Sequence, residues 1–309
     1  MRRFLRCNVD QGIVETQTWE PHCWVNIECP DAVDYDLMQN KFNIPEDFIE
    51  SVKDPDERPR IEHDNGWVFT IIRIPGKLHS KLDSPYFTIP MGIIMNNDVV
   101  VTLAYHKTDL VDDFIDHVQQ RGIALHSEPD FILRLIFSST YWYLRYLKEI
   151  NDHVSIISGG MKKSISNDEI MKLMHIQGVL VYFNTSIKGN QTLIDRIKRI
   201  YDGVYDEDLA EDTEIELRQA DNTIDVYTEI LSGVMDSFGS IISNNVNDIM
   251  KKMTGVSIVL MLPTLIASFY GMNVSNDLSA YGWAFWGIAA GSFALAFILY
   301  LILRRVRWL

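Results

Sequence analysis

Hydrophobic and polar positions are distributed unevenly along the 309 residues. Up to about residue 104 the chain alternates short β-rich runs with short helical ones. Ile13–Thr18, Trp24–Glu28, Trp67–Ile74, Phe87–Met95 and Val99–Leu103 read as strands, with Asn96-Asn97-Asp98 as a hairpin turn. Pro30–Asn40, Pro45–Val52 and Leu110–Gln120 read as short helices. From Asp130 onward the period becomes helical. Phe131–Ile157 and Asp168–Tyr201 predict an antiparallel helical hairpin broken around Ser158-Gly159-Gly160. A third, much longer helix is predicted from near Asp206. Leu217, Ala220, Ile224, Tyr227, Leu231, Val234, Phe238 and Ile241 keep an unbroken three-four spacing, the seam of a coiled-coil-like helix. Continued to Met272 it would be about 100 Å long, with Gly233 and Gly239 as points of local weakness.

The last sixty residues are of a different kind. Thr254 to Asn273 and Trp283 to Leu303 contain no charged side chain, and each is near the ~20 residues needed to cross a hydrocarbon core. Lys251, Lys252, Arg304, Arg305 and Arg307 flank the outer ends of the pair, whereas the connection Val274 to Gly282 holds Asp277 and no base. The positive-inside rule then predicts both termini on the cytoplasmic side of a cell (inner) membrane, spanned twice. Tyr281, Trp283, Trp286 and Trp308 suit the interfaces. Met1-Arg2-Arg3-Phe4 is followed by no apolar leader, so targeting is expected from the two spans.

At 100° per residue, Met250, Met253, Ser257, Met261 and Thr264 share an arc of roughly 80° on the first span. Two readings stand level on periodicity alone. The stripe packs against the second span, or it lines a path enclosed by several copies of the chain. Asn273 lies about 180° off the stripe in an ideal helix, so it joins that face only if the helix ends just before it; Gly271 is where this is expected. Pro263 can also bend the span.

Charge separates the two regions. Residues 1–250 hold 23 basic and 41 acidic side chains, near −18, out of −14 for the whole chain, while mean hydropathy is −0.02. So acidic a part excludes nucleic acid as partner and is compatible with cations. Cys7, Cys23 and Cys29 have no ligand or disulfide spacing. No phosphate loop, nucleophile–base pair or ligand cluster suggests an enzyme.

Gly271-Met272-Asn273 alone would recur by chance in roughly a few per cent of chains this long. The wider pattern is more specific: Asn247-Asp248-Ile249-Met250-Lys251-Lys252-Met253-Thr254, then Met261-Leu262-Pro263-Thr264, then Tyr270-Gly271-Met272-Asn273, then a basic tail ending Trp308-Leu309. This resembles the CorA family of divalent-cation transporters. Cys23–Ile27 and Arg58–Glu62 are loosely similar to that family's soluble domain; Pro263 stands one residue later than is usual in it.

The resemblance implies an α/β cytoplasmic domain, a long stalk helix continuing into the pore, and a two-helix C-terminal transmembrane hairpin, assembled as a homopentamer in the lipid bilayer. The implied division is 1–125 α/β domain, 126–205 helical hairpin, 206–252 stalk, 253–273 pore-lining span, 274–282 external loop, 283–303 second span and 304–309 basic tail. It implies a selectivity filter of Gly271, Met272 and Asn273 and pore-lining Thr264, Met261, Met253, Met250 and Asn247, to which periodicity adds Ser257. Cargo would be Mg2+, with Co2+, Ni2+ or Zn2+ as alternatives; the lack of His- or Cys-rich tracts favours a hard cation. A regulatory Mg2+ is implied at Asp212, one of ten carboxylates between Asp206 and Glu229, where Arg218 is the one base. Its partner carboxylate is left open among Asp64, Asp83 and Asp98. The competing reading is a membrane-anchored interaction or signalling module, which needs neither the stripe nor the tripeptide.

Overall fold

The computed structural model describes residues 1–8, 12–78, 85–121, 127–159, 167–272, 281–306 and 308. It divides into two units, Met1–Val234 and Met235–Leu309.

The first unit is built on a seven-stranded sheet in the order β2-β1-β3-β7-β6-β5-β4. The strands are β1 Arg2–Asn8, β2 Gly12–Thr16, β3 Cys23–Glu28, β4 Arg60–Asp64, β5 Trp67–Lys77, β6 Tyr86–Met95 and β7 Val99–Ala104. Among the described residues only β3 and β7 run parallel, in register from Cys23 opposite Val99 to Glu28 opposite Ala104. The other pairs are antiparallel. Long apolar runs such as β5 arise because both faces of the sheet are covered.

On one face lie α1 (Ala32–Asp36), a π-helical turn (Leu37–Lys41) and α2 (Glu46–Lys53). Asp31 opens α1 with a capping box, and α2 presses Phe48, Ile49 and Val52 onto the sheet. Phe48 stacks on Phe69 with ring centroids 4.4 Å apart, and Gly92 leaves the space that Val52 fills.

The opposite face receives α3 (Leu110–Arg121), α4 (Glu128–Gly159) and α5 (Asn167–Ile200). Trp24 meets Phe114 and Phe131 edge to face, and its Nε1 donates to Thr102 Oγ1 at 2.8 Å, which donates in turn to Asn26 at 2.8 Å. Those bonds explain the polar residues inside a buried strand.

The long helix, α6, runs unbroken from Glu207 to Tyr270 and is shared by the two units. Asp206 opens it, its side chain accepting from Leu209 N–H at 3.0 Å. In the first unit it lies antiparallel to α5, tied by Lys198–Glu214 and by Lys188–Asp221 at 3.6 Å. The predicted seam is the face it buries: Leu217, Ala220, Ile224 and Leu231 are at most 1 % exposed. The second unit contains the rest of α6 and α7 (Ala284–Arg305), and both helices are long and apolar enough to cross a membrane.

Candidate functional sites

The second unit separates the two faces of the first span. Gly255 is buried, and Val259, Leu262, Pro263 and Ile266 are half-buried, at three-four spacing along one side of α6. On α7 the covered residues are Ala284, Ser292 and Ala296, with Ile288, Ala289, Leu299 and Leu303 half-covered. The two helices run antiparallel, for Trp308 beyond the end of α7 shares a cavity wall with Asn247, Met250, Lys251 and Thr254 of α6.

Met250, Met253, Ser257, Met261 and Thr264 lie on the opposite side of α6, about 180° round the axis from Gly255, Val259, Leu262 and Ile266. All five are exposed, Met253 at 69 % and Met261 at 64 %, as is Asn247. Among the described residues Met253, Ser257, Met261 and Thr264 are therefore left uncovered by the second span, whereas Met250 and Asn247 line a cavity with Trp308.

The chemistry of this face is uncharged. Ser257 Oγ donates to the Met253 carbonyl at 2.9 Å and Thr264 Oγ1 to the Leu260 carbonyl at 3.0 Å. With their protons committed to the backbone, the two hydroxyl oxygens present lone pairs outward, and the thioethers between them are apolar. Pro263 sits inside α6 without ending it.

The helix stops at Tyr270, one residue before Gly271, whose N–H still bonds the Ala267 carbonyl at 2.9 Å. The φ of Gly271 is not positive; among the described glycines a positive φ occurs only at Gly66 and Gly203. Met272 is 54 % exposed, and Asn273 with residues 274–280 lies outside the described residues.

Among the stalk carboxylates the structure makes distinctions that the sequence does not. Glu214 and Asp221 face α5 and are paired with its lysines. Asp212 is exposed and lines a cavity of about 450 Å³ with Leu209 of α6, Asp113, Phe114, His117 and Val118 of α3, and Arg134, Phe137, Ser138 and Tyr141 of α4. Neither Asp64 nor Asp98 lines it, and Asp83 lies outside the described residues. Among the described residues no three His, Cys, Asp or Glu side chains converge as a metal cluster. Arg134, Asp113 and His117 carry no sequence signal, because two separate helices, α4 and α3, bring them together.

Comparison with known proteins covers nearly the whole chain. Residues 19–305 match the family described as CorA-like Mg2+ transporter protein. The cobalt/magnesium transport protein CorA of Methanocaldococcus jannaschii is 25 % identical over 313 residues, 97 % of each chain. Its namesake from Thermotoga maritima is 21 % identical over 296 residues, covering 93 % of this chain and 83 % of that one. The complete structure of the CorA magnesium transporter from M. jannaschii superposes with a TM-score of 0.80 at 21 % identity, over 100 % of this chain and 99 % of the other.

Proposed function

The chain belongs to the CorA-like Mg2+ transporter family, and from that premise we propose that it carries Mg2+, with Co2+ as a second cargo, across a membrane through a channel formed by several copies. The observation that carries the proposal is the exposed, uncharged Met/Ser/Thr stripe on α6, set on the side away from α7. One such stripe cannot enclose a path, so the channel requires copies around an axis; the family resemblance supports five.

In this reading Asn273 forms a ring of amide oxygens at the outer mouth, with Gly271 and Met272 shaping it. Mg2+ sheds water reluctantly, and neutral oxygens can accept hydrogen bonds from its hydration shell without stripping it or holding it as a carboxylate would. The outward oxygens of Thr264 and Ser257 offer further acceptors along the path. Met261, Met253 and Met250 supply flexible apolar constrictions that close by dewetting. Asn247 meets the ion at the inner end. Lys251, Lys252, Arg304 and Arg305 favour the cytoplasmic side for that end.

Asp212 is the sensor carboxylate in this reading. A hydrated Mg2+ bridging it to a neighbouring copy would relieve repulsion between acidic surfaces and hold the assembly shut when internal Mg2+ is high.

The test is Mg2+ influx into liposomes reconstituted with the full chain. Asn273→Ala should lose selectivity for Mg2+; unchanged flux and selectivity would remove the filter assignment. Absence of flux in the unaltered protein would favour a membrane anchor instead. Asp212→Ala should keep conducting at internal Mg2+ that shuts the parent, whereas Glu214→Gln should not, its partner being Lys198 of the same chain.

A further inference from the structure

The cavity beside Asp212 has a feature that its acidic lining does not suggest. Arg134 reaches it from α4, and the guanidinium Nε is buried with no hydrogen-bond partner. Among the described residues no carboxylate lies within ion-pair distance of Arg134, although Asp113 and Asp212 stand on the same cavity walls. A fixed positive charge thus shares a space of about 450 Å³ with the carboxylate assigned to the sensor. Charges on the walls of one such space act directly on one another, attenuated by salt.

We propose that Arg134 is a built-in counter-cation of the sensor site, which competes with the divalent ion for Asp212 and so sets the Mg2+ concentration at which the site fills. The inference rests on the reading of Asp212 as the sensor. With no ion bound, the guanidinium partly neutralises Asp212 and Asp113 across the cavity. A divalent cation arriving at Asp212 meets a charge of its own sign on the wall of the same cavity, and its affinity drops. Arg134 is a positioning charge here, not a ligand. Its effect depends on charge more than shape, which separates it from a packing role.

Removing that charge should tighten Mg2+ binding. In the full-length protein in liposomes, with Mg2+ titrated on the side of the soluble unit, Arg134→Gln should lower the half-inhibiting concentration roughly two- to fivefold. Arg134→Lys should return it toward the parent value. Flux without Mg2+ on that side should be unchanged. Protection of the detergent-solubilised protein from trypsin by Mg2+ gives a second midpoint that does not depend on conduction.

Should Arg134→Gln fail to fold, Ser138→Lys places an added charge on the same cavity wall and should move both midpoints upward. An unmoved midpoint in whichever of these variants folds, with Asp212→Asn having lost its response, overturns the role given to Arg134. A normal response in Asp212→Asn overturns the sensor reading itself, and the inference with it.

Discussion

Asn190 of α5 holds the backbone of Arg73 in β5 from both sides: its Oδ1 accepts the Arg73 N–H at 2.9 Å and its Nδ2 donates to the Arg73 carbonyl at 2.8 Å. β4 begins at Arg60, opposite Ile71, so Arg73 lies beyond the reach of that ladder. The amide stands in for the missing strand. Arg73's guanidinium then turns inward, 7 % of the residue exposed, and donates to the carbonyls of Pro55, Glu57 and Thr88 and to the hydroxyls of Thr88 and Ser186. Helix, strand and the loop after α2 are thereby joined without a carboxylate.

Asn190→Ala leaves a buried N–H and a buried C=O unpaired. Each omission costs about 1–3 kcal/mol, so the variant should be about 2–6 kcal/mol less stable. Thermal unfolding of the purified protein should show a fall of several degrees. A midpoint equal to the parent's would mean that water takes over both bonds.

The two faces of the first span should differ in access to water. In a background lacking Cys7, Cys23 and Cys29, Ser257→Cys and Thr264→Cys should react with a charged, membrane-impermeant thiol reagent roughly tenfold or more faster than Val259→Cys or Ala296→Cys. Equal rates at all four positions would contradict a hydrated stripe opposite a dry seam.

Glu28 supplies the pH-dependent prediction. Burial pushes its carboxyl above the ordinary range, and nearby Asp112 adds to the rise, while the Thr108 N–H that it accepts at 3.2 Å opposes it. A raised folded-state pKa means that this group's contribution is complete below the ordinary carboxylate range and is lost as pH climbs through the raised value. Glu28→Gln keeps a carbonyl oxygen for Thr108 and removes the charge. It should unfold at a higher temperature than the parent at pH 7.5, with the difference shrinking as pH is lowered toward 4. A gap that stays constant with pH would assign the effect to packing.

The strongly patterned parts were legible in the sequence. β3, β5, β6 and β7 fall within a few residues of expectation, and the α6 seam from Leu217 to Leu231 is buried as its spacing implies. β1 and β4 were not legible. Arg2, Arg3 and Arg6 break the alternation of β1, and Arg60-Ile61-Glu62-His63-Asp64 offers one buried residue, Ile61. Strands so rich in charge are held by their neighbours, not by their own pattern. The π-helical turn at Leu37–Lys41 extends what read as one helix from Pro30 to Asn40.

At the candidate sites periodicity found the stripe but could not say what it faced, because that depends on which side α7 occupies. Ten stalk carboxylates look alike on paper. Only the position of Lys188 and Lys198 on α5 separates Glu214 and Asp221 from Asp212. The filter proposed at Asn273 rests on the family pattern alone.

The first span carries two independent sets of instructions. Along Gly255, Val259, Leu262 and Ile266 the side chains are covered or half-covered within the second unit, so size is constrained there. Along Met253, Ser257, Met261 and Thr264 the side chains are exposed, so chemical character can change without repacking the unit. In the proposed channel, conductance and ion preference can therefore drift, or be engineered, through one set of positions while the hairpin stays intact.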